Sequence, residues 1–302
     1  MNVLAITGSG DRTAVAERLV ERLDRDGSVG TMTRPDPSRE DSGSNPDAYR
    51  GIGASCHYRL GDDHWTATGD ARSLGDVLDE LAPRCDYAVV EGFEDPALPT
   101  LVVGDGDVTD GEMLDKIPSK EQLDTEAILS GLSAVDPYET LGSLVARAKE
   151  SPDSDKSGAI ATFTGRVRKR DDDGDPPTEY LEFERYDGVA EQTMATIRAE
   201  LEARDGVYEV LMHHRTGVVE AEEDIVFVVV LAGHRPEAFA TVEDGIDRLK
   251  AEVPLFKKEV TVEETFWAHQ HDHSHHPGGD GGSDSEEHDD DQGRETPADT
   301  PR

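Results

Sequence analysis

IVFVVVLAGHRPEAFATVEDGIDRLKAEVPLFKK, Ile225 to Lys258, is the stretch on which the fold of this 302-residue chain turns. The unbroken apolar run Ile225 to Ala232 predicts a buried strand. Gly233, His234 and Arg235 stand at its end. Pro236 falls at the first position of a helix, where its fixed φ suits the site and its missing N–H costs nothing. Phe239, Val242, Ile246 and Leu249 repeat at helical spacing and predict one apolar face. The helix carries Lys250 near its end and stops before Pro254, and Lys257 and Lys258 follow directly. A cationic dipeptide at a helix start and three lysines beyond it predict an anion pocket.

Those cations stand out against the rest of the chain. It carries 67 acidic and 30 basic residues, a net charge of −37. Such a surface repels nucleic acid. It suits a salt-saturated cytoplasm, where screening acts over a few ångströms. Only eight residues are lysine, and Lys169, Lys250, Lys257 and Lys258 fall in the C-terminal half among Arg166, Arg168, Arg170, His234 and Arg235. Cations kept where most have been removed imply partners, an anionic ligand ahead of structural ion pairs. The two cysteines, Cys56 and Cys85, form neither a disulfide framework nor a zinc-ribbon spacing. The opening MNVLAI lacks a basic leader and a long apolar run, and no run spans a membrane, so the chain is expected to be soluble and cytoplasmic.

Working back to the first residues, Asn2–Thr7 is a strand. Gly8, Ser9 and Gly10 form a turn, and Thr13–Leu23 is a helix with Val15, Leu19 and Leu23 on one face. Strand, glycine turn and helix is the layout of a phosphate-binding loop. The full pattern needs a lysine just before a Ser or Thr, and here Asp11 and Arg12 stand between Gly10 and Thr13. Arg34–Gly53 reads as a loop, Leu74–Leu81 as a helix, Tyr87–Glu91 and Leu98–Val103 as strands. Glu91, at a strand end, could hold Mg²⁺ beside a phosphate, although a solvated strand terminus is the commoner role of such an acid. Polar composition places a boundary near residue 118, giving an α/β domain over 1–118 and a second domain over 119–268.

In the second domain Pro137–Lys149 reads as a helix with Asp136 as its cap. Gly158–Gly165 is a strand running into Arg166, Val167, Arg168, Lys169 and Arg170. Tyr180–Tyr186 alternates, with Leu181, Phe183 and Arg185 on one face. Val189–Arg204 is a helix and Val207–His214 a strand. The order favours an α+β sandwich. Residues 269–302 lack periodicity and cannot bury enough apolar surface to fold. Their cluster of His269, His271, His273, His275 and His276 could trap Zn²⁺ or Ni²⁺ loosely, but a disordered solubilising tail with no metal role is the preferred assignment.

Two resemblances sharpen these expectations. ITGSGDRT (6–13), DAYRGIGAS (47–55) and DYAVVEGFED (86–95) resemble the MobB-like P-loop adaptors of molybdopterin-guanine dinucleotide biosynthesis, over roughly residues 1–106. That implies a GTP and Mg²⁺ site at Gly8, Ser9, Gly10, Arg12, Thr13 and Glu91. GAIATFTGRVR, LEFERYDGVAEQTM, HHRTGVVEAEEDIVFVVVLAGHR and RLKAEVPLFKKE, between Gly158 and Glu259, resemble the large, catalytic subunit of molybdopterin synthase, the MoaE family. That implies an α/β-hammerhead-like sandwich, sulfur transfer into cyclic pyranopterin monophosphate with no cofactor, and molybdopterin as product. It places substrate binding on Arg166, Val167, Arg168, His234, Arg235, Lys258 and Glu259, with Lys250 and Lys257 catalytic. Crowding and partial desolvation would favour the neutral amine of Lys250, able to act as acid, base or nucleophile. The alternative assignment is a cofactor-binding adaptor with little catalysis of its own.

The C-terminal half has no cysteine, so it holds no persulfide or thiolate and its sulfur must arrive on another molecule. The resemblance implies a small ubiquitin-like subunit with a C-terminal Gly-Gly thiocarboxylate. His234 and Lys250 are sixteen residues apart along one helix, a separation of about 20 Å. One small pterin cannot touch both from one chain, so a homodimer with shared sites is expected, as the core of a heterotetramer.

Overall fold

The computed structural model describes residues 1–34 and 55–268, apart from 63, 94, 96, 109, 110, 171, 173, 187, 263 and 264. Most of the expected loop Arg34–Gly53, most of the DAYRGIGAS segment and the histidine-rich tail lie outside the described residues. Residues Met1–Gln270 group as one unit.

β1 (Asn2–Thr7) is the spine of the N-terminal half. It lies between β5 (Tyr87–Glu91) and β6 (Thr100–Val103), with β2 (Val29–Thr33) beyond β5 and β7 (Met113–Ile117) beyond β6, all parallel. Alternate residues of β1 feed opposite faces, as the two-residue period of a strand requires. Leu4 and Ile6 pack with Val15, Leu19 and Leu23 of α1 (Arg12–Leu23). Val3 and Ala5 pack with Leu78 of α2 (Leu74–Leu81). This is an α/β sheet covered on both sides. Between β2 and β5, the strands β3 (Cys56–Leu60) and β4 (Trp65–Gly69) form a separate hairpin.

α3 (Thr125–Leu132) adds Ile128 and Leu132 to the cluster built on Leu4 and Leu101, so the first hydrophobic core runs past residue 118. The segment that follows is tied down rather than helical. The Tyr138 N–H donates to Met1 O (2.8 Å), and its hydroxyl donates to Asp79 Oδ1 (2.7 Å). The helix expected from Pro137 therefore starts later, as α4 (Leu141–Lys149). Its cap is Thr140, not Asp136. Thr140 Oγ1 accepts from the Ser143 N–H and Ser143 Oγ accepts from the Thr140 N–H, a reciprocal capping box. Asp136 pairs instead with Arg185.

The C-terminal half is two antiparallel sheets. β8 (Ala159–Arg166), β12 (Asp224–Ala232) and β10 (Val207–His214) form the first, with β12 in the centre. Val226, Val228 and Val230 of β12 face α5 (Val189–Glu202) and α6 (Arg235–Glu252), while Phe227, Val229 and Leu231 face Leu144 and Ala148 of α4. The central apolar run is thus buried on both faces, as its unbroken pattern predicts. The second sheet has the order β11 (Gly217–Glu220), β9 (Thr178–Arg185), β13 (Leu255–Thr261) and β14 (Thr265–Ala268).

α6 forms as expected but begins at Arg235, and its buried face keeps the expected Ile246 and Leu249, with Val242 packed against it, but not Phe239. Ala238, Thr241, Gly245, Ile246 and Leu249 point inward, and Phe239 is 63% exposed. The helix lies too close to the sheet for large side chains there. A Cβ on Gly245 would meet Met212 Cε at 3.0 Å and Val228 Cγ1 at 3.2 Å. Among the described residues no helix is long and apolar enough to cross a membrane.

Candidate functional site

α6 fixes the geometry of the cationic residues because it joins two ends of the molecule. His234 is its N-cap residue, in extended backbone, and Arg235 is its first residue; both are exposed. Lys250 lies in the last turn, where a cation complements the helix dipole. About 15 residues of helix separate Arg235 from Lys250, or ~22 Å. The sheet gives the same answer. Ala232, just before His234, pairs with Ala159 at the start of β8, while Arg166 at the end of β8 pairs with Asp224. One chain therefore places Lys250 and Arg166 toward one end of the sheet and His234 and Arg235 toward the other.

Lys250 Nζ lies 5.7 Å from the centroid of the Phe163 ring on β8, within cation–π range. The lysine is exposed within one chain, so the desolvation expected for it is not supplied by its own protomer. After the turn at Val253 and Pro254, β13 carries the other two lysines. Adjacent strand residues face opposite ways. Lys257 pairs with Phe183 and shares the inner face with Leu255 and Glu259, opposite Arg185 and Leu181. Its Nζ is 3.7 Å from Glu259 Oε2. Lys258 pairs with Glu182 on the outer face, with Nζ 2.8 Å from Glu182 Oε2. That hydrogen bond to a carboxylate pushes the Lys258 ammonium above its ordinary value. Lys258 thus leaves the substrate-binding set expected from sequence, because the strand period turns it away from Lys257.

Two more expected residues are corrected. Val167 is 2% exposed and packs with Leu181, Phe183, Val219 and Ile225. Its N–H donates to Glu223 O and its carbonyl accepts from the Glu222 N–H, both at 2.9 Å, so its backbone is engaged with the turn between β11 and β12. Arg166 pairs with Asp224 at 3.4 Å and donates to the Glu222 carbonyl, so it pins the turn between β11 and β12. Arg168 is exposed on the segment leaving β8. Phe163 and Phe183, which stand beside Lys250 and Lys257, were not legible as site residues. They read as ordinary strand apolars, and only the cross-strand register puts them under the lysines.

The N-terminal loop brings its expected residues together but engages them with one another. Gly8 has φ +97°, and a Cβ there would meet Val103 O at 2.3 Å, so only glycine fits. The Ser9 N–H donates to Asp105 O at 2.9 Å and the Gly10 N–H to Val103 O at 2.8 Å. The Asp11 carboxylate caps α1, accepting from the Ala14 N–H at 3.2 Å. Thr13 Oγ1 donates to Glu91 Oε1 at 2.9 Å, and Arg12 Nε lies 3.8 Å from the same oxygen. A phosphate loop needs free N–H donors and a cation at a helix start. Here the Ser9 and Gly10 donors are spent, a carboxylate sits at the helix start in place of the lysine, and Glu91 is held by Thr13 and Arg12. The residues present do not fit GTP and Mg²⁺.

The MoaE protein family profile matches residues 138–252. A probable molybdopterin synthase from Haloferax volcanii is 48% identical over 270 residues, 89% of this chain and 99% of its own. An alignment of that length cannot fit in the C-terminal half alone, so this relative shares N-terminal sequence as well. The molybdopterin synthase catalytic subunit of Ralstonia nicotianae is 41% identical over 110 residues, 36% of this chain and 61% of its own. In structure, Bacillus subtilis MobB matches 46% of this chain and 100% of its own at 16% identity, with a TM-score of 0.34. With a full-length relative at nearly half identity and the family profile lying over the cation-bearing helix, this chain belongs to the MoaE family of molybdopterin synthase catalytic subunits.

Proposed function

We propose that the chain is the catalytic subunit of a molybdopterin synthase. It transfers sulfur from the C-terminal Gly-Gly thiocarboxylate of a small ubiquitin-like subunit to cyclic pyranopterin monophosphate, as the MoaE-like half of a hammerhead-like sandwich. The observation that carries this is the placement of Lys250 over the Phe163 ring and of Lys257 beside Glu259, on either side of one helix-to-strand turn. Two amines held at fixed positions give cations for a phosphate and for a thiocarboxylate tail. Lys250 is the central catalytic group, Lys257 the second proton-transfer or electrostatic residue, and Arg168 a bidentate anion binder.

His234 and Arg235 serve a second protomer, since ~22 Å of helix separates them from Lys250. The active unit is a homodimer with shared sites, each carrying a sulfur-donor subunit. Both cysteines of the chain, Cys56 and Cys85, lie in the N-terminal half, so the synthase half has no sulfur of its own to give. The N-terminal half takes no part in this chemistry, and its closed loop asks for no nucleotide.

The test is a sulfur-transfer assay with the precursor. The chain alone gives no molybdopterin, the thiocarboxylated partner restores turnover, and Lys250→Ala lowers it by at least about 100-fold. Turnover without any partner, or full activity in Lys250→Ala, would overturn this assignment.

A further inference from the structure

Glu259 was expected among the substrate ligands, yet its two oxygens are already committed. Oε1 accepts a hydrogen bond from Thr178 Oγ1 at 2.6 Å, and Oε2 lies 3.7 Å from Lys257 Nζ. Thr178 is 5% exposed and Glu259 keeps 19% of its side chain accessible, so the three groups form a line running from the interior outward to the lysine.

A break in the sheet makes this line possible. Along β9 the residues Leu181, Phe183 and Arg185 face inward, so an unbroken strand would turn Thr178 outward with Tyr180 and Glu182. The pairing with β13 shifts at this point. Val260 pairs with Tyr180, but its neighbour Thr261 pairs with Thr178, so one strand spends an extra residue, Glu179. That bulge returns Thr178 to the face of Thr261, Glu259 and Lys257. Bulges of this kind re-aim a side chain. The burial of both Thr178 and Thr261 agrees with the inward direction. The Thr178 N–H donates to Lys169 O at 2.9 Å, fixing the strand's start to the cationic segment after β8.

We propose that Thr178 is a positioning residue for sulfur transfer: its hydroxyl orients the Glu259 carboxylate, and that carboxylate holds the Lys257 ammonium where the reaction uses it. This rests on the assignment of Lys257 to the active site. A threonine hydroxyl is suited to the task because its β-branched side chain has few rotamers in a strand. On β9 the neighbouring carboxylates Glu182 and Glu184 lie on the opposite face from Lys257, and Glu182 is paired with Lys258.

The experiment compares Thr178→Val, Thr178→Ser, Glu259→Gln, the Thr178→Val/Glu259→Gln double variant and Lys257→Ala in the full chain. Turnover of cyclic pyranopterin monophosphate is read with the thiocarboxylated partner, alongside the thermal midpoint. Thr178→Val is expected to lower kcat at least tenfold with its midpoint within a few degrees of wild type. Thr178→Ser, which keeps the hydroxyl, retains at least half the rate. The double variant is no slower than Glu259→Gln, because both changes break one line. Wild-type kcat in Thr178→Val while Lys257→Ala is inactive overturns the inference and leaves the site assignment standing. Equal losses in Thr178→Val and Thr178→Ser overturn it also, since packing and not the hydroxyl would then be at work. Full activity in Lys257→Ala overturns the site assignment itself.

Discussion

At the scale of single residues, the two adjacent histidines of β10 show how burial sets charge. His213 stacks on Phe227 and His214 lies edge-on to Phe183, on opposite faces of one strand. Burial pushes each imidazole down to about 4, and for His214 a hydrogen bond to Arg215 O opposes that shift only in part. Both are neutral in the fold, while the unfolded chain takes up protons below about 6.5. Their contribution is therefore complete above pH 6.5 and is lost as pH falls toward 4. His213→Gln is expected to reduce the slope of unfolding free energy against pH, between pH 6 and 4.5, by about 1 kcal/mol per pH unit in urea titrations. An unchanged slope would mean that His213 is protonated in the fold. Nothing in HHRTG distinguishes these from exposed histidines, since burial belongs to the whole sheet. Lys250 and Lys257 were legible because lysine is scarce in this chain, whereas Thr178 was not, because its direction depends on a bulge no local pattern announces.

At the scale of elements, β12, the extent of α6 and its buried Ile246 and Leu249 were legible from periodicity, but the outward turn of Phe239 was not. Hydrophobicity favours Phe239, whereas close approach to β12 selects Ala238, Thr241 and Gly245. β13 was missed for a related reason. LFKKEVT has two lysines and a glutamate in its middle, and it is a strand because β9 supplies its hydrogen bonds. The short β7 was likewise read as a polar boundary. The turn from β11 to β12 carries the sole described non-glycine residue with positive φ, Glu222 at 73°. The Glu223 N–H closes it onto Glu220 O at 3.1 Å, and the Glu222 carbonyl accepts from Arg166. A side chain with Cβ is strained there. Glu222→Gly is expected to raise stability by roughly 0.5–1 kcal/mol, since it relieves the strain and keeps the backbone acceptor. Thermal or urea unfolding checks it, and a loss of stability would show that the glutamate side chain has a structural task of its own.

At the scale of the whole molecule, the cations divide between the two ends of α6, and on the proposed reading a complete site takes two chains. Lys250→Ala and Arg235→Ala proteins, each inactive alone, are expected to recover about a quarter of wild-type turnover after random mixing, because half the dimers then hold one intact site of two. No recovery, with mixed dimers confirmed by mass, would rule out site sharing. The amino-acid sequence by itself determined the central strand, the helix after it, the strands β1, β5 and β6 of the N-terminal half and the family, because each rests on local periodicity or on residues read one at a time. Only the tertiary structure decided that Phe239 of α6 turns outward, that Lys258 turns away from Lys257, that Val167 is core, that the Ser9 and Gly10 N–H groups are engaged within the fold, and that Thr178 reaches Glu259. Those outcomes depend on cross-strand register and on the distance between packed elements, which the chain sets only once its parts have met.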